Sequence, residues 1–562
     1  MRLHAVAAAL LLLLSPPAWA EEPPEASFAD ELRRGLEMSV VGAAGGAEVP
    51  SLEGQNVEAR IAEALRTFYL DRDLAPVWVT ETGPGPRVEA LTDILAAAKE
   101  DGLDPADYDL EAIRDLLSAP EATALAPLEI ALSRSLLRFL FDLGGVRGRE
   151  VATAAGLETR PRAEREGAER EGAEREGVDA AALIAAAAAE DDLTEVVAAA
   201  RPQGARYAAL RAALARYRQI AAEGGWNAIP AGGPLRLGSI SPRVPALRER
   251  LTLTGDLKPS TRGPSALFDQ ALAAAVRRAQ QRHGLLSDGV VGPGTLAALN
   301  VPATRRVAQL ALNLERLRWM PADLGENFVQ VNLAGASLRL VEARKPRLEL
   351  RIAVGRPFRG TPFFSQALTS IVFSPDWTVP PGVVGAELLP VLRDDPGYLS
   401  RTGFTVFSDW SEEATVLDPG AIDWTTVDGA ALAYKLRQAP GPENPLGRIS
   451  FVFPNDFGLC LHDTPAKEPF ATGDRGFGLG CIRVETPELL AEALLAGTSG
   501  WSQDRIAEVL AEGTPTAVGL PDPVPIHITY MTAWAEGKAA QFRDDVFGRD
   551  AMLAKALRRR GG

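Results

Sequence analysis

Two neighbouring stretches decide how this chain is interpreted: Leu461-His462-Asp463-Thr464-Pro465 and Gly478-Leu479-Gly480-Cys481-Ile482-Arg483-Val484. The chain has only two cysteines and four histidines, so a His and a Cys on either side of one short Gly-rich segment form a specific pattern. An imidazole can take the proton of a thiol and hold the resulting thiolate as a nucleophile. Gly480 permits a tight turn before Cys481 that directs backbone N–H groups at an oxyanion. The pattern predicts acyl transfer, with His462 as general base and Cys481 as nucleophile.

These residues resemble the catalytic signature of the L,D-transpeptidases of the YkuD-type fold, in which a His is followed, after a gap, by Ser/Thr-x-Gly-Cys-x-Arg. The resemblance implies that His462 is the base, Cys481 the nucleophile, Gly480 part of the oxyanion loop and Arg483 the arginine that organises the pocket. Gly478 stands where the family carries Ser or Thr. A hydroxyl that could hold the loop or a substrate carbonyl is therefore missing.

The likeness is most specific over residues 437–483 and implies a set of substrate-binding residues: Arg483, Trp377, Asn444, Asp463, Thr464 and Lys467. The residue types alone leave Trp377 open, because its ring could line a substrate channel or fill a core. Asp463 directly follows the predicted base, but neighbours in a strand point to opposite faces. Either the Asp463 side chain or a backbone carbonyl could therefore orient His462.

Cys460 lies two residues before His462 in a segment, residues 457–462, that is predicted to be a strand. Residues i and i+2 of a strand share a face, so Cys460 should project toward the pocket that holds Cys481. Three states remain open at this stage. The two cysteines could form a stable structural disulfide, Cys460 could be a buried inert thiol, or a reversible bridge could block the nucleophile.

The first residues of the chain predict export. An apolar run follows Met1-Arg2 and ends in small residues, which predicts a secretory signal peptide over residues 1–20 and a periplasmic protein. No other apolar stretch is long enough to span a bilayer, so no membrane span is expected in the mature chain. The formal net charge of −15 argues against binding to nucleic acid or anionic lipid. Because no metal-ligand spacing is present, neither a metal nor another cofactor is expected.

The periodicity predicts an α+β multi-domain protein. A flexible lead-in is expected over 21–54, followed by helical periodicity and then by period-two strands. The resemblance implies that these regions are a helical scaffold domain, a three-helix peptidoglycan-binding module, and a mainly β L,D-transpeptidase catalytic domain with a helical cap. The predicted ranges are 55–236 for the scaffold, 237–303 for the module, 304–540 for the catalytic domain, about 381–436 for the cap and 541–562 for a C-terminal helix. A low-complexity, solvated and partly helical insertion is predicted over 160–190, which contains three copies of Ala-Glu-Arg-Glu-Gly.

Three further residues carry local predictions. Thr295 is expected to cap the last helix of the module, and His283 and His527 are expected to be structural. The module resembles peptidoglycan-binding domains through its Asp-Gly-x-x-Gly-x-x-Thr turn. It could bind the cell wall, or it could pack against the other domains without binding.

The resemblance implies an enzyme that acts on peptidoglycan stem peptides and glycan in the bacterial envelope, and so on cell-wall organisation and cell shape. Cys481 would attack the meso-diaminopimelate carbonyl of a donor tetrapeptide, release D-alanine, and pass the acyl group to the amine of a second meso-diaminopimelate. As alternatives, water or another amine could resolve the thioester, for hydrolysis or anchoring. The chain could also be a wall-binding scaffold with impaired catalysis, because Gly478 replaces Ser or Thr.

Overall fold

The computed structural model describes residues 27–43, 57–80, 82–118, 124–156, 179–259, 265–321, 323–354, 364–429, 432–455, 459–471 and 481–558. The predicted signal peptide, the Ala-Glu-Arg-Glu-Gly repeats, Gly478 and Gly480 lie outside these ranges. The chain divides into two compact units, of which the first falls within Met1–Leu95, Tyr108–Arg138 and Asp179–Leu193. No helix of the described residues is both long and apolar enough to cross a membrane.

The first unit is helical, with one short strand pair, β1 (Val79–Thr80) and β2 (Gly83–Pro84). Its helices are Phe28–Ala43, Val57–Leu70, Arg87–Ala96, Leu110–Ser118 and Ala180–Ala189, and helix Leu125–Leu143 contributes residues to both units.

Two of these helices differ from the sequence predictions. The flexible lead-in predicted over 21–54 contains helix Phe28–Ala43, in which Leu32 and Leu36 are buried because their spacing places them on one helical face. The segment predicted as a solvated, partly helical insertion ends in helix Ala180–Ala189, but this helix buries Ile184 instead of being solvated on all sides. In both places, an Ala-, Gly- and Glu-rich composition obscured a narrow apolar stripe.

A buried carboxylate organises the first unit. Glu129 is fully buried and accepts hydrogen bonds from the Tyr69 hydroxyl at 2.7 Å and from the backbone N–H groups of Val77, Trp78 and Val79 at 2.5, 2.9 and 3.0 Å. Burial raises the pKa of Glu129, while these donors act in the opposite direction. The Glu129 carboxylate therefore holds the segment that leads into β1, because it accepts from all three of these backbone N–H groups. None of the three is left without a partner, as is usual for backbone groups away from solvent.

The other α-helices of the described residues belong to the second unit, apart from Leu193, the first residue of one of them: Val146–Ala154, Leu193–Ala200, Ala205–Ala222, Val244–Leu253, Gln270–Arg282, Pro293–Asn300, Ala303–Trp319, Pro381–Val383, Leu389–Asp394, Tyr398–Arg401, Glu468–Ala471, Pro487–Leu494, Gln503–Glu512 and Arg549–Arg558. Its strands are β3 (Phe328–Asn332), β4 (Ser337–Glu342), β5 (Lys345–Val354), β6 (Phe364–Phe373), β7 (Trp377–Thr378), β8 (Phe404–Phe407), β9 (Val416–Leu417), β10 (Lys435–Gln438), β11 (Ile449–Val452), β12 (Leu461–His462), β13 (Ile482–Val484), β14 (Thr516–Thr529), β15 (Ala533–Glu536) and β16 (Ala539–Phe542). The C-terminal helix is shorter than predicted, because β16 ends inside the predicted range of 541–562.

Three helices form the module around a small apolar core of its own: Val244–Leu253, Gln270–Arg282 and Pro293–Asn300. The predicted cap Thr295 lies inside the third helix, whose N-cap is Gly292, so that prediction is wrong. The Thr295 hydroxyl instead accepts from the Gln280 amide at 3.1 Å. His283 ends the second helix, is buried, and hydrogen-bonds the Ala279 carbonyl through Nδ1 at 2.7 Å.

Eight strands between residues 328 and 529 form a closed barrel in the order β11-β12-β13-β5-β4-β3-β14-β6. Alternate residues of these strands point inward into one continuous apolar core, while the others face outward. His527 lies on β14, where Nδ1 hydrogen-bonds the Ser365 hydroxyl at 2.7 Å and Nε2 the Leu324 carbonyl at 3.2 Å. Closure leaves the barrel without a free edge.

The cap has more strand than the sequence predicts. Besides its short helices, it contains an antiparallel sheet in the order β7-β10-β8-β9 and a separate apolar core. The strands contain only two to four residues each, which is too short for a clear period-two pattern. The cap therefore joins a π-helical turn, Val384–Leu388, and three short helices to a small sheet.

Candidate active site

The register of β12 on β13 brings the two sequence stretches together. These strands are parallel, with Leu461 opposite Ile482 and His462 opposite Arg483. Leu461 and Ile482 are fully buried in the barrel core. Because strand residues alternate between faces, His462 and Arg483 project from the outer face.

The same ladder places the two cysteines side by side. One residue before the first pair, Cys460 lies beside Cys481, and the Ile482 N–H donates to the Cys460 carbonyl at 2.8 Å. The two Cα atoms are 4.9 Å apart, which is the usual spacing of neighbouring strands. The strand predicted over 457–462 is assigned only at Leu461–His462, and residues 456–458 lie outside the described ranges.

Cys460 and Cys481 are joined by a disulfide bond. Both residues are half-buried, so the interpretation of Cys460 as a buried inert thiol is wrong for this structure. The sulfurs of both cysteines and a ring nitrogen of His462 all lie within 4.8 Å of one another. While the sulfurs are bonded to each other, neither is the thiolate that nucleophilic attack or metal ligation requires.

His462 is held as a neutral base. It is only 2% exposed, and its Nδ1 hydrogen-bonds the backbone carbonyl of Asp463, so a backbone carbonyl orients the ring. Burial lowers the pKa of His462 to about 4; the Asp463 carbonyl opposes this change and Arg483 adds to it. With Nδ1–H donating to that carbonyl, Nε2 carries the free lone pair and can accept a proton.

The Asp463 side chain fastens the surrounding loops. Its buried carboxylate accepts from the Arg448 N–H at 2.8 Å and from Lys467 Nζ at 2.7 Å. Lys467 Nζ also donates to the Glu485 carbonyl at 2.8 Å. Gly447 has φ 61°, and a Cβ there would lie 2.5 Å from Asp463 Oδ2. The position of the Asp463 carboxylate therefore leaves no room for a side chain at residue 447.

Asn444 is fully buried and engaged with the backbone. Its amide donates to the Pro375 carbonyl at 2.9 Å and to the Ala439 carbonyl at 3.2 Å, while its Oδ1 accepts from the Leu446 N–H at 2.9 Å. The side chain joins the end of β6 to the loop that leads into β11. Its polar atoms hold the two segments together.

The other predicted binding residues lie in different surroundings. Thr464 is buried, and its hydroxyl accepts from the Ala466 N–H at 3.3 Å. Trp377 lies half-buried on β7 in the cap sheet, with its ring 6.3 Å from that of Phe404.

The pKa of Arg483 depends in part on Glu387, a residue that the sequence patterns did not point to. Arg483 is half-buried, and burial lowers its pKa, while the carboxylate of Glu387 in the cap acts in the opposite direction. Glu387 lies on the π-helical turn Val384–Leu388, far from the motif in sequence. No local pattern marks this residue, because its effect on the site depends on how the cap packs.

Three family comparisons agree with this architecture. Residues 63–214 match the family "Scaffold domain", residues 241–299 match "Putative peptidoglycan binding domain", and residues 326–518 match the YkuD family, "L,D-transpeptidase catalytic domain". The chain therefore carries a YkuD L,D-transpeptidase catalytic domain together with a peptidoglycan-binding domain. The resemblance seen in the sequence and the predicted fold class are confirmed.

Individual proteins extend this comparison. A Haemophilus influenzae protein named "Putative L,D-transpeptidase" is 32% identical over 245 residues, which make up 44% of this chain and 48% of that protein. The match thus spans about half the length of the curated relative. A solved L,D-transpeptidase structure from Xylanimonas cellulosilytica is 18% identical and covers 53% of this chain and 98% of that one, with a TM-score of 0.17.

Proposed function

We propose that this protein is an L,D-transpeptidase of the bacterial envelope that cross-links meso-diaminopimelate residues of peptidoglycan. The observation that best supports this function is the placement of His462 and Cys481. They project from one face of two paired strands, with the Cys481 sulfur and a ring nitrogen of His462 within 4.8 Å of each other. A neutral, oriented imidazole beside a thiol is the arrangement that nucleophilic cysteine catalysis uses.

In the reduced protein, His462 Nε2 takes the proton of Cys481, and the thiolate attacks the meso-diaminopimelate carbonyl of a donor tetrapeptide. Backbone N–H groups of Gly480 and Cys481 would stabilise the oxyanion, at about 3 kcal/mol per donor. The carbon–nitrogen bond then breaks, D-alanine leaves with the proton held by His462, and a thioester forms. The side-chain amine of a second meso-diaminopimelate loses a proton to His462 and attacks this thioester. The cross-link forms, and Cys481 leaves as a thiolate.

We assign substrate contact to Arg483 and Trp377. The half-buried guanidinium of Arg483 suits a carboxylate of a stem peptide. The partly exposed ring of Trp377 can pack on the apolar parts of the same peptide. Asn444 and Asp463, together with Lys467 and Thr464, were expected to bind substrate. Because the polar atoms of Asn444 and Asp463 are already bonded within the protein, we propose that these two residues position the site loops.

The cellular setting is part of the proposal. A signal peptide over 1–20 would deliver the protein to the periplasm, where the module would hold it on peptidoglycan. We propose domain ranges of 55–236, 237–303 and 304–540. Export of this kind makes a disulfide chemically accessible.

Two alternatives to cross-linking remain, one that forms the same acyl-enzyme and one in which catalysis is impaired. Water or another amine could resolve the thioester, which would make the protein a hydrolase or an anchoring enzyme. In the second alternative, the protein binds the wall but catalyses poorly, because Gly478 lacks the hydroxyl that Ser or Thr provides at this position in the family.

The test uses reduced, full-length protein and a disaccharide-tetrapeptide that ends in meso-diaminopimelate and D-alanine. Mass spectrometry of the products should find free D-alanine and a dimer joined between two meso-diaminopimelate residues. Tripeptide without dimer would indicate hydrolysis. Absence of D-alanine release by reduced protein with a free, alkylatable Cys481 would refute the proposal. Cys481→Ala is the matched inactive control.

A further inference from the structure

We propose that Cys460 is a resolving cysteine: it forms a reversible disulfide with Cys481 that switches the site off, and a dithiol reductant opens it. The inference rests on the proposed function, because Cys481 is the nucleophile in that reaction. Its physical basis is the disulfide itself, the strand register and the position of both sulfurs on the outer face of the barrel.

The sheet keeps the two cysteines together in either redox state. The backbone hydrogen bond from Ile482 to Cys460 is 2.8 Å long, and the adjacent pair Leu461 and Ile482 is buried in the core. β12 and β13 are also paired to β11 and β5 on their other sides. Opening the sulfur–sulfur bond therefore leaves the strands in register, with the thiols poised to close again.

Exposure favours exchange over a purely structural bridge. Both cysteines are half-buried, whereas His462, two residues after Cys460, is almost completely buried. A reagent or partner thiolate can approach a sulfur from outside the barrel without opening the core. Thiol–disulfide exchange requires this access for its attacking thiolate.

A dithiol reduces the Cys460–Cys481 disulfide in two exchange steps. A thiolate of the reductant attacks one sulfur of the pair and forms a mixed disulfide, and the second thiol of the reductant then releases it. Two electrons and two protons pass to Cys460 and Cys481, and the reductant leaves as a disulfide. The partner class is therefore an exported protein with a paired-cysteine site.

Formation of the Cys460–Cys481 disulfide protects the nucleophile from irreversible oxidation by peroxide. His462 takes the proton of Cys481, and the thiolate attacks one oxygen of hydrogen peroxide. The oxygen–oxygen bond breaks and His462 returns the proton to the leaving hydroxide, which gives a sulfenic acid on Cys481 and one water. The Cys460 thiol then attacks that sulfur, which forms the disulfide and releases a second water. Without a neighbouring thiol, a sulfenic acid is oxidised further to sulfinic acid, which thiols do not reverse.

The first experiment compares the wild type with Cys460→Ser, using Cys481→Ser as the inactive one-thiol control. Alkylation under denaturing, non-reducing conditions and intact mass give the number of free thiols. Oxidised wild type should show none, with D-alanine release at least about tenfold below the dithiothreitol-treated protein. Treated wild type should show two. Cys460→Ser should show one and be active without reductant.

The second experiment is a peroxide pulse followed by dithiothreitol. The wild type should recover its activity, whereas Cys460→Ser should remain inactive and gain the mass of two oxygen atoms on Cys481. Cys460→Ala provides a second replacement in case the serine perturbs folding. Equal recovery of the wild type and both variants would overturn the protective role.

Two other results would overturn the switch. Oxidised wild type could be as active as reduced wild type. Alternatively, reduction could unfold the protein and abolish its activity, which would make the bridge a structural link. Thiol counts and masses need no substrate. A complete redox cycle without acyl transfer would therefore support the bridging role of Cys460 and count against the proposed function.

Discussion

The strongest quantitative prediction concerns His462→Asn in the oxidised protein. The asparagine amide can occupy the place of Nδ1–H and donate to the Asp463 carbonyl, so the hydrogen bond is kept while the titrating group is removed. With both sulfurs in the disulfide, no thiolate is coupled to the ring. The variant therefore isolates the cost of protonating one buried imidazole.

The sign and size follow from the pKa of His462, which is about 4 instead of 6.5. The unfolded chain binds this proton more tightly than the folded one, so stability rises as pH increases from 4 to 6.5 and is lost as pH falls. Each tenfold change in proton affinity is worth about 1.4 kcal/mol, so the wild type should lose about 3 kcal/mol through this group between pH 7 and pH 4. The asparagine variant should not show that loss.

The assay is urea unfolding of oxidised protein at several pH values between 4 and 7.5, followed by tryptophan fluorescence. The quantity compared is the change in the free energy of unfolding with pH, so a constant offset caused by the substitution cancels. Ser450→Ala is the control, because Ser450 faces His462 across β11 and β12 and carries no titrating group. If wild type and His462→Asn lose the same stability between pH 7 and pH 4, the neutral, buried base is refuted.

Three further substitutions test other parts of the structure. Cys481→Ala in the presence of reductant should abolish D-alanine release, measured by mass spectrometry, while circular dichroism stays unchanged, because only the covalent step is lost. Glu129→Ala should lower the free energy of urea unfolding by about 3 kcal/mol or more, because it leaves two buried backbone N–H groups and the partly buried one of Val77 without their acceptor; a loss under about 1 kcal/mol would contradict that network. Gly447→Ala should cost about 1–3 kcal/mol, from its positive φ and from the contact with Asp463. Gly441→Ala, where a Cβ meets nothing within 4 Å, is the matched control, and equal losses in the two variants would contradict the argument.

Much of the fold could be predicted from local patterns. The helical domain predicted over 55–236 contains helices such as Val57–Leu70, Leu110–Ser118 and Leu125–Leu143, and the mainly β domain predicted over 304–540 contains the barrel strands. The prediction failed where the signal was short or masked by composition, as in helix Phe28–Ala43 and the cap strands. Thr295 was misplaced because Pro293 already fits the first turn of its helix.

By itself, the sequence predicted acyl transfer as the chemistry, because a His and a Cys beside a Gly-rich segment can be recognised from residue types and local spacing alone. Tertiary structure decided how those groups meet. The parallel pairing of β12 with β13 set Cys460 against Cys481, turned the Asp463 carboxylate toward Arg448 and Lys467, and left a backbone carbonyl to hold His462. Register, burial and cap packing depend on contacts between segments distant in sequence, and local patterns carry little information about such contacts.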